Sequence, residues 1–128
     1  MILDTSAVVA IAFKEPGFMS LVDKLAKASN IAIGDPTLTE TAIVLSARLS
    51  QDARGLLSRF LTEGEVQTIP FGDPHYAFAI DAWLKYGKGR HKAALNFGDC
   101  MSYATAKLAN EPLLCVGDDF PRTDLLIA

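Results

Sequence analysis

Two cysteines and two histidines in 128 residues leave this chain short of the side chains that disulfide scaffolds and soft-metal sites require. Cys100 and Cys115 have no metal-motif spacing, so buried thiols in a reducing cytoplasm are expected. No apolar run approaches the roughly 18 residues of a membrane span, and no Lys or Arg precedes the opening apolar residues. A soluble, unexported, cytoplasmic protein with no membrane partner is the expectation. Basic residues are in the minority, 12 against 15 acids for a net charge of −3. That excludes a uniformly basic nucleic-acid binder while leaving room for a local basic patch. What the chain has in excess is apolar residues, 50% before glycine is counted, against about 45–50% in usual domains with glycine included. One domain over residues 1–128 can bury much of this, and a partner or a second copy is expected to cover the remainder.

The apolar residues follow an alternating pattern of strands and helices. Met1-Ile2-Leu3 reads as a buried strand ending at Asp4, with Thr5 or Ser6 capping a helix over Ala7–Ala12. Phe18, Leu21, Val22 and Leu25 recur at helical spacing, and Ile31–Gly34 follows as a second strand. Asp35-Pro36 opens a helix with Leu38, Ala42, Leu45 and Leu49 on one face. Helix 54–62, strand 65–69, a helix from Asp73 to Gly87, a helix from about Gly98 and strand 112–116 complete the series. Leu125–Ile127 is a candidate edge strand. The alternation predicts an α/β fold, a central parallel sheet flanked by helices on both faces.

Four acidic positions stand out. Asp4 follows a predicted strand, where ligands bind in parallel α/β sheets. Glu40 sits in an apolar helix with no Lys or Arg within four residues, and an uncompensated carboxylate there needs a partner. Asp99 falls in the first turn of a helix capped by Asn96, and Asp118-Asp119 follow the last strand. Each alone has an ordinary structural explanation as a cap, a solvent-facing acid or a polar turn. Together they converge on one edge of a parallel sheet, where packed carboxylates repel unless a hard divalent cation joins them.

The segments Leu3-Asp4-Thr5-Ser6-Ala7, Thr39-Glu40-Thr41-Ala42, Leu95 to Lys107 and Pro112 to Phe120 resemble, in order and spacing, a PIN-domain ribonuclease of the VapC toxin type. The resemblance covers nearly the whole chain. It implies an endoribonuclease toxin dependent on Mg²⁺ or Mn²⁺, a homodimer, inhibited by a cognate VapB antitoxin. The family's first three acids map onto Asp4, Glu40 and Asp99; the fourth maps onto the Asp118-Asp119 pair, with Asp118, the first acid past the strand, preferred. In this arrangement Asp4 and Asp99 are the principal metal ligands, with Glu40 and Asp118 completing the site. Thr5 or Ser6 is expected to orient a ligand or the scissile phosphate.

Lys85 to Lys92 is the one concentrated basic stretch, and Lys88, Arg90 and Lys92 are the candidate RNA contacts. His75 and His91 lie beside no predicted acid and are expected at the surface. Phe18, Leu21, Leu25, Leu56, Leu57, Phe60 and Leu61 are the candidate apolar surface for an antitoxin helix. Two other functions fit parts of the pattern: a Mg²⁺-binding phospho-receiver domain, and a non-catalytic interaction module whose acids are only caps. The first is disfavoured because Pro70-Phe71-Gly72 separates Asp73 from the preceding strand and no Lys follows Val116.

Overall fold

Adjacent apolar residues in a fully buried strand must serve two cores at once, because successive side chains point to opposite faces. In the computed structural model, which describes residues 1–128, Ile2 and Leu113 enter one core while their neighbours Leu3 and Leu114 enter the other. Strand β1 (Ile2–Leu3) is central in a four-stranded parallel sheet with β2 (Ile31–Gly34), β3 (Val66–Ile69) and β4 (Leu113–Leu114), in the order β3-β2-β1-β4. Helices α1 (Thr5–Ala12), α2 (Phe18–Lys27), α3 (Asp35–Leu49) and α4 (Arg54–Glu63) supply the core that holds Leu3, Ile33 and Leu114. Helices α5 (Asp73–Tyr86) and α6 (Phe97–Ala109) supply the other, around Tyr86, Leu95, Tyr103 and Leu113.

The chain steps outward from β1 to β2 to β3 and then returns to place β4 on the far side of β1. The order of connection therefore reverses between β1 and β4, the point at which open α/β sheets form a crevice at their carboxyl ends. Asp4 leaves β1 at that point, and Gly117-Asp118-Asp119 follows β4 into it. Helix α6 is drawn close to the end of β2 by Gly34, where a Cβ would come within 2.6 Å of the Thr105 hydroxyl.

Four expectations need correction. Strand β4 is two residues long, not five, because beyond Leu114 the Val116 amide turns to the Ser6 hydroxyl at 3.0 Å. Leu125–Ile127 contributes only an isolated bridge from Ile127 to Leu113. His75 is buried, not at the surface: its Nδ1 accepts the Gly72 amide at the start of α5 and its ring stacks on Phe71. Leu21 and Leu57 are core residues of the α1–α4 side, whereas Leu56 is exposed.

Candidate active site

Asp4 is 5% exposed and is itself the N-cap of α1, a role expected of Thr5 or Ser6. Its Oδ2 accepts the Ser6 amide at 3.0 Å and the Ser6 hydroxyl at 2.6 Å, and its Oδ1 accepts the Ser102 hydroxyl at 2.7 Å. Both hydroxyls are aligned from behind. The Val116 amide donates to Ser6 Oγ, and because the Ser102 proton points to Asp4, the Thr37 hydroxyl 3.0 Å away must donate to Ser102. Two directed chains thus fix the carboxylate, one from the end of β4 and one from α3 through α6. They occupy both lone pairs of Oδ2 and one of Oδ1, which leaves Oδ1 with a single open position toward the crevice.

Asp99 lies in the first turn of α6, in a reciprocal capping box: its amide donates to Asn96 Oδ1 and its Oδ2 accepts the Asn96 amide, each at 2.9 Å. Burial pushes its carboxyl up to about 6; the Asn96 amide opposes this, and the negative charges of Asp4, Asp119 and Glu40 add to it. Those three charges identify its neighbours. Glu40 arrives from α3, where its Oε1 accepts the Thr5 hydroxyl at 2.5 Å and its carboxylate lies against Gly98, the residue before Asp99. Thr5 is 8% exposed, with its hydroxyl also 3.0 Å from that of Thr41.

The expected acids Asp4, Glu40 and Asp99 are therefore brought together from three segments of chain. The third charge acting on Asp99 is that of Asp119; Asp118, on the same exposed turn, is not among them. Of the two roles expected for Thr5 and Ser6, orienting a ligand or the scissile phosphate, their contacts are those of the first: each hydroxyl donates its one proton to a carboxylate, Glu40 and Asp4 respectively. Ser102, Thr37 and Gly98 were not singled out by sequence. For Ser102 a signal exists, since it stands three residues after Asp99 and so shares its helix face.

The donor set suits a hard divalent cation. The acids that meet here are carboxylates, and the charges of Asp4, Asp119 and Glu40, which after burial add to the raised Asp99 carboxyl, are what a cation would neutralise. No three His, Cys, Asp or Glu side chains close into a preformed cage. No structural zinc site is present, and carboxylate donors are of the kind that hard divalent cations take. Cys115 lies close to the acids, but burial first and Asp4 second push its thiol up to about 12, so it is no nucleophile at neutral pH.

Beside this centre lies the basic stretch. Lys88, Arg90 and Lys92 are exposed and in no ion pair. Arg90 stacks on the Trp83 ring at 4.8 Å and donates Nε to the Leu84 carbonyl, and the Lys92 carbonyl accepts Arg122 Nη1 at 3.2 Å. The last contact seats the loop against the 3₁₀ turn Phe120–Arg122, which directly follows Asp119.

The family model for the PIN domain matches residues 1–126. The chain belongs to the PIN-domain family. Among curated PIN-domain relatives, ribonuclease VapC36 of Mycobacterium tuberculosis is 50% identical over 126 residues, 98% of this chain and 91% of the relative. Ribonuclease VapC of Mycolicibacterium smegmatis is 38% identical over 125 residues, 98% and 97% of the two chains. This PIN domain therefore stands among the VapC ribonucleases. Its fold matches the sarcin-ricin loop cleaving toxin VapC20 of M. tuberculosis with a TM-score of 0.78 at 17% identity, covering 99% of this chain and 97% of that one. It also matches VapBC2 of Rickettsia felis, solved bound to a DNA fragment from its promoter, with a TM-score of 0.77 at 21% identity over 98% and 94% of the chains.

Proposed function

We propose that this PIN domain is the endoribonuclease toxin of a toxin–antitoxin pair, using Mg²⁺ or Mn²⁺ held by Asp4 and Asp99. The observation that carries the proposal is the convergence of three acids from three segments of chain: Asp4 held between Ser6 and Ser102, and Glu40 held by Thr5 and lying against Gly98 next to Asp99. An arrangement of caps alone does not account for Glu40, which caps no helix and leaves α3 to lie against α6. When bound, the cation would acidify a water for attack on phosphorus and neutralise charge on the phosphate. The chain's own residues do the rest. Ser6 and Ser102 aim Asp4, the Asn96 amide aims Asp99, and Glu40, held by Thr5, stands beside Asp99 where it would accept a hydrogen bond from a bound water. Electrostatic proximity favours Asp119 over Asp118 as the fourth acid.

Lys88, Arg90, Lys92 and Arg122 would guide the RNA backbone to the crevice, offsetting the repulsion of a net-negative protein. A groove of about 430 Å³ between α2 and α4, lined by Val22, Leu25, Phe60 and Val66 and by the acids Glu63 and Glu65, suits an amphipathic helix with basic residues from a VapB-type antitoxin. Val22→Asp and Phe60→Asp should lose that inhibitor while keeping nuclease activity; Leu57 is unsuitable because it is buried. The exposed Tyr76, Ile80, Trp83 and Phe97 line an apolar cavity of about 570 Å³ on the α5 side, the surface on which a homodimer would form. A cytoplasmic location follows from the RNA substrate. The test is incubation of the purified protein with a panel of cellular RNAs in EDTA, Mg²⁺ or Mn²⁺. Cleavage only with metal, lost in Asp99→Asn, is expected; full cleavage in EDTA, or by folded Asp99→Asn, would overturn the proposal.

A further inference from the structure

Glu40 reaches the acid centre from a different helix, and what lets it do so is a missing side chain. A Cβ built on Gly98 overlaps Glu40 Oε2 and comes within 2.9 Å of its Cδ and 3.2 Å of its Oε1. Gly98 has no left-handed backbone, since its φ falls outside the region that L side chains avoid, so conformational freedom does not explain this glycine. It stands within α6, where glycine is intrinsically worse than alanine by about 0.5–1 kcal/mol. The three atoms nearest to where its Cβ would stand all belong to the Glu40 carboxylate.

On the opposite side the same carboxylate accepts the Thr5 hydroxyl at 2.5 Å, and Thr5 belongs to the first turn of α1. Glu40 is thereby gripped between the amino ends of two helices whose adjoining residues are Asp4 and Asp99. We propose that Gly98 and Thr5 are positioning residues that form the seat of Glu40, setting its carboxylate beside Asp99 at the cost of helix stability. The proposal rests on the assignment of Glu40 to the nuclease site and adds which residues hold it there.

The structure makes the two effects of Gly98→Ala opposite in sign. The clash falls on the far end of a flexible side chain and not on backbone, so Glu40 swings away and the fold remains. The melting temperature of Gly98→Ala should equal or exceed that of the parent, while kcat falls about tenfold or more, a loss of about 1.4 kcal/mol in the transition state. KM should change much less. Thr5→Val, which removes the other contact, should lower kcat in the same direction. Each effect should vanish in a Glu40→Ala background, because residues that act through one group are not additive. As a readout independent of turnover, Mn²⁺ binding followed by electron paramagnetic resonance should change in Gly98→Ala as it does in Glu40→Ala. Full activity in Gly98→Ala, with Glu40→Ala impaired, would overturn the seat and leave the nuclease assignment standing. So would an equal loss from Gly98→Ala when Glu40 is already alanine, or a melting temperature lowered by several degrees. Parental activity in Glu40→Ala would instead remove Glu40 from the site, and the seat with it.

Discussion

The acid centre and the basic loop lie side by side and are built on opposite plans. In the centre, Asp4 is almost fully buried, its oxygens are assigned to named donors, and those donors are held by further groups as far as Thr37 and Val116. In the loop, Lys88 and Lys92 present side chains that make no hydrogen bond or ion pair, and of the three candidate RNA contacts only Arg90 is steadied, by Trp83 and the Leu84 carbonyl. Chemistry at phosphorus demands that ligand oxygens stay within fractions of an ångström, so their supports must be rigid. Attraction of a polyanion depends on charge and distance, and mobile lysines supply it without a fixed geometry. Substitutions in the two regions should therefore fail in different ways.

The largest effect belongs to Asp4 and Asp99, the two proposed ligands. Asp4→Asn and Asp99→Asn keep shape and lose charge, and RNA cleavage at saturating Mg²⁺ should drop by about 10³-fold or more, ~4 kcal/mol. Circular dichroism should show a retained fold; a drop below tenfold in both would erase the contrast between the regions. Next comes Ser102→Ala, which touches no substrate. It frees Asp4 Oδ1 and leaves the buried Thr37 hydroxyl without its acceptor. Loss of such a support usually costs about 10–100-fold in metal affinity or activity, to be measured by Mn²⁺ titration.

Smaller is the effect of changing Lys88, Arg90 and Lys92 together to Ala. At low salt kcat should hold while KM for RNA rises several-fold, and the salt slope of binding should flatten by roughly 0.7 for each lost phosphate contact. A proportionate fall in kcat at saturating RNA would mean that the loop shapes the site and does not merely feed it. The smallest effect is on stability. Because the folded Asp99 carboxyl sits at about 6, above its ordinary value of 3.8, the folded protein holds a proton that the unfolded chain has already lost between those values. Metal-free stability thus falls as pH rises through that window, and the penalty is fully present above it. Discounted for partial exposure, it is about 1 kcal/mol. Asp99→Asn, which keeps an oxygen for the Asn96 amide, should raise the metal-free melting temperature by about 2–4 °C at pH 7.5 and leave it unchanged near pH 3.5. An equal shift at both values would point to the cap and not to repulsion.

The sheet, the helix order and three of the acids were legible because each rests on local signals: an apolar run stopping at Asp4, an Asn96-to-Asp99 capping box, an acid at Glu40 with no basic neighbour. The choice between Asp118 and Asp119 was not legible, since Gly117 at φ +100 reverses the backbone just before them and strand alternation no longer says which acid faces inward. The roles of Ser102 and Gly98 depend on α3 lying against α6, a juxtaposition with no local signature. Leu57 and Leu56 are adjacent residues of identical hydrophobicity, and only the crossing of α4 over the core decides which is buried.

The return of β4 to the side of β1 has a consequence for the timing of toxicity. Asp4 is made long before β4, and β1 acquires its second neighbour only when Leu113 and Leu114 pair with Ile2 and Leu3. The Val116 amide that aligns Ser6, and the charge of Asp119, come later still. A nascent chain that stops short of Leu113 thus holds Asp4, Glu40 and Asp99 and their Ser102, Thr5 and Asn96 donors, but lacks the strand beside β1 and the Val116 amide behind Ser6. Residues 113–119 complete an alignment that the earlier part of the chain only begins, and RNA cleavage is expected only once they have paired with β1.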